Sequence, residues 1–385
     1  MKNSFYFDHN ATTPVRPEVI ETMLPYLNEH YGNASSVHRY GREAKNALEV
    51  SRDTIARLIE ADSEEIYFTG CGTESDNIAL TGHLYTASKN RNGLVTTTVE
   101  HSAILKTASK LEREGFPVTY VSVDNNCRVD MDALRKSVNE LTALVSVMHA
   151  NNETGVIQDI QEAAKIAHEA GALFHTDAVQ SAGKIPLNVR SMGIDMLSMS
   201  GHKLNAPKGI GVLYVRKGVT ITPLTYGGRH ERGIRPGTEN VAGIVAFAKA
   251  FELAVEEMAE KGVYLTKLRD HLEEGFEHRI PDLLFNGRGV QRLPGTLNIS
   301  IPGVDGEALL FSLDMEGIAA STGSACSSGE VEPSHVLVAM GREPKIAQSS
   351  LRFSMGWGTT DEGADHVLAV LPPIVGRLRR VSRGI

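Results

Sequence analysis

Three stretches of this 385-residue chain put chemically capable side chains where a strand should end. In the first, an apolar run from Gly193 to Met199 empties into Ser200-Gly201-His202-Lys203. Such a run reads as a buried strand that delivers a histidine and a lysine into a polar turn. A lysine desolvated there gives up its proton more easily, and a neutral amine condenses with an aldehyde to form a Schiff base. A solvated loop lysine is the competing reading, and its neighbours decide between the two. In the second stretch, Leu173-Phe174-His175-Thr176-Asp177, the acid closes a strand, where it can cap a helix or hold a pyridine nitrogen protonated. Gln180, three positions on, can donate to a phenolic oxygen. In the third, Thr69-Gly70-Cys71-Gly72-Thr73-Glu74-Ser75, glycines let the backbone approach an anion and a helix start favours phosphate; a tight capped turn is the alternative. An amine for an aldehyde, an acid for a pyridine nitrogen and a cradle for phosphate together describe pyridoxal phosphate, whose ring is an electron sink.

Further residues join this rim. His101 follows a strand and precedes a helix, so its imidazole can stack on a planar ring and relay protons, or cap the helix. Asn151-Asn152-Glu153-Thr154-Gly155 follows another strand, and convergent polar groups at several strand ends mark a pocket. Arg352, in the alternating strand Ser350-Leu351-Arg352-Phe353-Ser354, has a fork suited to a substrate carboxylate or to a structural ion pair. Cys326 lies in the small-residue tract Ser321-Thr322-Gly323-Ser324-Ala325-Cys326-Ser327-Ser328-Gly329, expected to be exposed and mobile. A thiolate there can act as a nucleophile on a swinging arm. Cys71 is expected to be packed and Cys127, in an Asn-rich turn, to be incidental.

The elements that must hold these residues alternate. Strands are expected over 65–69, 94–98, 118–123, 143–148 and 173–176, and helices over 39–60, 74–88, 103–114, 131–138 and 160–170. That spacing gives a parallel sheet covered on both faces, with ligands at the carboxyl ends of its strands. The run 209–215 follows the lysine turn too closely for a crossover and is expected to be antiparallel. A glycine-rich loop over 227–238 leads to a long helix, about 239–274, with Gly262 the expected interruption. Beyond it lies a smaller α+β unit, with strands at 295–301 and 349–353 and helices at 306–314 and 361–370.

Composition narrows the class. Hydrophobic residues at 41% and charged residues at 22% are ordinary for a soluble protein, and the length suits one large domain with a smaller companion. The net charge of −8, with no polybasic block, argues against nucleic acid. No run approaches a membrane span, and the first eight residues lack the apolar core of a signal peptide, so a cytoplasmic location is expected. Three cysteines provide neither a disulfide framework nor paired metal spacing, so no metal is expected and any thiol that matters works free.

Seven stretches together carry a family likeness: Phe7-Asp8-His9-Asn10-Ala11-Thr12-Thr13-Pro14, Gly72-Thr73-Glu74-Ser75-Asp76-Asn77, Glu100-His101-Ser102-Ala103, Asn151-Asn152-Glu153, Asp177-Ala178-Val179-Gln180-Ser181, Ser200-Gly201-His202-Lys203 and Ser324-Ala325-Cys326. Over most of its length the chain resembles the cysteine desulfurases of the NifS/IscS type. The resemblance implies the α/β, pyridoxal phosphate-dependent aminotransferase-like fold (fold type I). A large domain over 15–257 would hold a mainly parallel seven-stranded sheet between helices. A smaller α+β domain over 258–385 would carry the cysteine loop, and an N-terminal segment over 1–14 would pack with it. Lys203 would bind the cofactor aldehyde, Asp177 would pair with the ring nitrogen, Gln180 and Asn152 would flank the phenolic oxygen, and His101 would stack on the ring. Gly72, Thr73, Ser200 and His202 would hold the phosphate, joined by Thr238 from the neighbouring subunit of a homodimer with shared sites. Arg352, helped by Asn10, would anchor the carboxylate of L-cysteine. Lys203 would take the Cα proton and the Cys326 thiolate would attack the substrate sulfur, leaving L-alanine and a persulfide for an iron-sulfur scaffold or another carrier protein. A selenocysteine lyase or aminotransferase on the same fold is a competing function, and a non-catalytic assembly platform is another; the former can dispense with the thiol, the latter with Lys203.

Overall fold

The computed structural model describes residues 4–322 and 332–382. After β1 (Phe5–Tyr6), seven strands follow in chain order: β2 (Ile66–Thr69), β3 (Gly93–Thr97), β4 (Val118–Val121), β5 (Thr142–Ser146), β6 (Leu173–Asp177), β7 (Met196–Ser200) and β8 (Gly211–Val215). They form one sheet in the order β2-β8-β7-β6-β5-β3-β4. Five of them, β7 to β4, pair in parallel, as helical crossovers require, and β8 runs antiparallel to both β7 and β2. The antiparallel expectation for 209–215 holds, and its strand is wedged between two others.

Alternation along each strand divides the core. Val95, Val145, Leu197 and Val212 face one layer, with Leu48 and Ile55 of the helix Arg39–Ile59 and Phe247 and Phe251 of the helix Val241–Glu256. Leu94, Leu144, Met196 and Leu213 face the other, with Leu80, Ile104 and Leu111. Both faces are therefore dry, and the polar work is left to the strand ends.

The C-terminal region holds a second core. β9 (Leu284–Asn286), β10 (Thr296–Ser300) and β12 (Ser350–Ser354) make an antiparallel sheet in the order β12-β10-β9, while β11 (Ile318–Ala319) pairs in parallel with β1. Phe7 is buried with Leu297, Ile299, Leu351 and Phe353.

Three local readings are corrected. The long helix breaks not at Gly262 but at Glu257, between Val241–Glu256 and Met258–Arg279. The Glu257 carboxylate pairs with Arg16, at 2.7 Å, and with Lys261 of the helix that follows. The helix expected over 74–88 is α-helical over Gly72–Asn77, widens into a π-helical turn, Ile78–Gly82, and ends at Leu84. The last helix runs Asp361–Ser382, straight through Pro372 and Pro373. Pro372 has no N–H for the Leu368 carbonyl four residues back; Arg279 Nη1 donates to that oxygen instead, at 3.0 Å. Buried Leu371, Ile374 and Val375 keep the continued helix on the core. Cys127 is fully buried beside Val99 and Met148.

Among the described residues no helix is long and apolar enough to cross a membrane, and no cluster of His, Cys, Asp and Glu could hold a metal ion.

Candidate active site

The carboxyl ends of the parallel strands gather on one rim. β6 stops at Asp177, β7 at Ser200 and β2 at Thr69, while β3 and β5 lead into His101 and Asn151–Asn152. A single 3-10 turn, Gly201–Lys203, carries the chain off β7. At Gly201 a Cβ would stand 2.7 Å from the Ile210 side chain, so glycine alone lets the turn fold this tightly. Lys203 Nζ donates to the main-chain oxygens of Asn10 and, at 2.7 Å, Ala11. Burial, reinforced by Arg352, brings its amine down to about 8, so an appreciable fraction is neutral near physiological pH.

Asp177 is buried and its Oδ1 accepts from the Val179 N–H at 2.9 Å. Burial raises this carboxyl, and His101 and Lys203 pull it back; a protonated ring nitrogen set against it would favour the carboxylate further. Behind it, His175 bridges Ser146 Oγ (2.9 Å, Nδ1) and Ser198 Oγ (3.1 Å, Nε2), and burial holds it neutral, down to about 3. His101 caps the helix Ser102–Arg113, its Nδ1 accepting from the Ala103 N–H at 3.1 Å. That bond leaves the exposed ring's Nε2 to carry the proton of the neutral form. His101 therefore fills the capping role and still presents a face and a proton to the rim.

The phosphate cradle is read from two observations. A Cβ on Gly72 would lie 2.6 Å from Val179 Cγ2 and 3.4 Å from Ser200 Cβ, so the backbone closes on these neighbours. Ser200 Oγ is buried and has no hydrogen-bond partner among the described residues, a donor in want of an acceptor. Thr73, next to Gly72 in sequence, is exposed, and His202 Nδ1 lies 3.2 Å from Thr12 Oγ1. The residues present thus fit a phosphate-bearing group. Thr238 is exposed in the loop before Val241, and among the described residues none hydrogen-bonds its side chain.

Arg352 forms the structural ion pair that was one of its two readings. Its Nη2 pairs with Asp8 Oδ1 at 2.7 Å and its Nη1 donates to the Asn152 oxygen at 3.0 Å, while buried Nε has no partner among the described residues. Asn10 is the hub of the cavity: its Nδ2 donates to Asn152 O (3.1 Å) and Thr296 Oγ1 (3.0 Å), and its main-chain oxygen accepts from Gln180 Nε2 at 2.9 Å. Sequence reasoning missed Asp8 and Lys184. Lys184 Nζ donates to Gln180 Oε1 at 3.2 Å; its signal, a lysine four positions after Gln180, was weak. Cys326 lies outside the described residues. The chain on either side of that stretch is tied to the rim: Ser321 exchanges main-chain hydrogen bonds with Arg352, Ser334 Oγ bonds Glu153, and His335 Nε2 lies 3.0 Å from the Glu100 oxygen.

A rim lysine, a buried acid and a phosphate cradle on such a sheet define a class of enzyme, and the comparisons agree: residues 5–367 match the family model for class-V aminotransferases, and the chain belongs to that family of pyridoxal phosphate-dependent enzymes. It is 48% identical over 382 residues to the cysteine desulfurase IscS of Dictyoglomus turgidum, covering 99% of this chain and 97% of that protein. It is 50% identical over 377 residues to a cysteine desulfurase of Trichormus azollae, covering 98% and 94%. Among solved structures, a NifS-like protein superposes with a TM-score of 0.92 at 40% identity, over 98% of this chain and 100% of that one. DndA from Streptomyces lividans does so with a TM-score of 0.78 at 37% identity, over 89% and 97%.

Proposed function

We propose that this protein is a pyridoxal phosphate-dependent cysteine desulfurase that converts L-cysteine to L-alanine and passes the sulfur to Cys326. The observation that carries the proposal is Lys203: a lysine with its amine brought down to about 8, in a turn off β7, on the rim that holds Asp177 and the Gly72–Ser200 cradle. The relatives' shared name supports the substrate.

When bound, the cofactor supplies an aldehyde for amines and a ring that accepts electrons. Lys203 holds the aldehyde; Asp177 keeps the ring nitrogen protonated; Gly72, Thr73, Ser200 and His202 hold the phosphate, with Thr238 contributed across a homodimer. Gln180 and Asn152 would donate to the phenolic oxygen, and His101 would stack on the ring. Arg352, with Asn10, receives the substrate carboxylate, its free Nε completing the bidentate fork. Neutral Lys203 removes the Cα proton, and His101 manages the substrate thiol proton. The Cys326 thiolate brings an electron pair to the substrate sulfur, an S–S bond forms as the C–S bond breaks and its electron pair stays with carbon; Cβ then takes one proton, Lys203 returns one to Cα, and the product leaves as L-alanine. Cys326 stands four positions after Thr322, within about 14 Å of it by chain length alone.

Exposed Ile20, Leu24, Leu27, Tyr31, Val37 and Tyr40, close together in sequence, support a homodimer. Free Cys71 and Cys127 suit the cytoplasm, and an iron-sulfur scaffold or thio-cofactor carrier is the acceptor proposed. The helix break at Glu257 and the separate cores support boundaries of 1–14, 15–257 and 258–385. The test is to load the protein with pyridoxal phosphate, add L-cysteine and reductant, and quantify alanine and sulfide. Equal yields, lost in both K203A and C326A, are expected; full activity in C326A would replace the proposal with a lyase or transaminase.

A further inference from the structure

Lys184 is a half-buried cation with no carboxylate in ion-pair contact among the described residues. It lines the cavity that also holds Lys203, Asn10 and Thr296. Lys203 and Arg352 act on its amine electrostatically, it acts in turn on His9 and His202, and Lys261 lines the same cavity; every one is basic. A lysine kept in such company, against desolvation and like charge, needs a reason beyond packing. Its oxygen partners supply one. Nζ lies 3.2 Å from Gln180 Oε1 and 3.5 Å from Asn10 Oδ1, the carbonyl ends of two side-chain amides. Gly183, just before it, has φ +69°, and a Cβ there would stand 2.7 Å from Ala254 Cβ, so the chain is pinned where Lys184 begins.

We propose that Lys184 is a positioning residue that sets which way the carboxamides of Gln180 and Asn10 face. An amine offers N–H groups, so each amide turns its oxygen to Lys184 and its NH2 away. Gln180 Nε2 then points to the Asn10 main-chain oxygen at 2.9 Å, and Asn10 Nδ2 to Asn152 O and Thr296 Oγ1. A flipped Gln180 would set NH2 against the Lys184 donor and an oxygen against the Asn10 oxygen, two repulsive contacts in place of two bonds. Resting on the function proposed above, this orientation makes Gln180 a donor to the cofactor's phenolic oxygen, and it holds Asn10 against the loop on which Arg352 leans. Burial, with Lys203 next, brings the Lys184 amine down to about 7, and it is the ammonium form, with donors alone, that sets the amide direction.

The test compares wild type, K184M and K184R in two measurements. In crystals of the apoprotein, K184M is expected to release Gln180 Nε2 from the Asn10 oxygen, and K184R to keep it. In the loaded protein, the pH midpoint of the cofactor's absorbance change is expected to rise in K184M by about 0.5–1 unit, roughly three- to tenfold in the proton equilibrium, because the phenolic oxygen loses a fixed donor. K184R should stay near wild type, a rescue that a merely structural role would not give. The proposal is overturned if Gln180 and the midpoint are unmoved in K184M, or if K184R shifts as far as K184M. If K184M does not fold, K184A takes its place in both measurements. A wild-type protein that takes up no pyridoxal phosphate would refute the function instead, and the apoprotein structures would still decide the role of Lys184.

Discussion

Replacing Gly72 with alanine tests the cradle without removing any polar group. The added Cβ would meet Val179 Cγ2 at 2.6 Å, whereas carbon atoms pack at about 3.5–4.0 Å, so one side must yield by roughly 1 Å. Val179 is a poor residue to push, because its N–H holds the Asp177 carboxylate at 2.9 Å. Overpacking of this kind costs about 1–3 kcal/mol. If that strain falls on the loaded state, pyridoxal phosphate binds about 5- to 150-fold more weakly, at 1.4 kcal/mol per tenfold. The assay is an absorbance titration of apoprotein with the cofactor. The double variant G72A/V179A removes the atom that is struck and should recover most of the affinity, since Ser200 Cβ, at 3.4 Å, is in ordinary contact. Unchanged affinity in G72A, or no recovery in the double variant, would refute the packing of the cradle described above.

Two further predictions concern stability. R279M leaves the Leu368 carbonyl without its donor and should cost about 1–3 kcal/mol in denaturant unfolding, while adding P372A restores an N–H to that oxygen and should recover much of the loss. Buried His149 is brought down by desolvation to about 4, against about 6.5 when unfolded. Between those values the unfolded chain binds the extra proton, so stability is lost as pH falls through the window, by up to about 3 kcal/mol from this residue. H149Q should flatten the pH dependence of the denaturation midpoint between pH 6.5 and 4 by that amount, and an unchanged slope would show the imidazole to be solvated.

Most of the rim was legible because largely apolar strand runs end in polar residues; Asp177, Ser200 and Lys203 stand out against Met196 and Leu197. What was illegible depends on partners distant in sequence. Asn10 meets Gln180 and Lys184, more than 150 positions away, and nothing local marks Lys184 as their neighbour. The final helix continues past Val370 through two prolines, which ordinarily end a helix, and only the arrival of Arg279 at Leu368 shows how. Gly262 has the composition of a breaker, yet it sits within a helix that starts beside the Glu257–Arg16 ion pair. The strands Leu284–Asn286 and Ile318–Ala319 are too short to carry a pattern of their own and exist through pairing with β10 and β1.

The most direct measurement gives the loaded protein L-cysteine carrying heavy sulfur, omits reductant, and maps the heavy atom by mass spectrometry of its peptides while alanine is counted. One heavy sulfur on the peptide holding Cys326, with one alanine released per site and neither in K203A, is the expected result. Heavy sulfur on Cys71 or Cys127, or alanine formed with no sulfur held by the protein, would contradict the division of labour between Lys203 and Cys326.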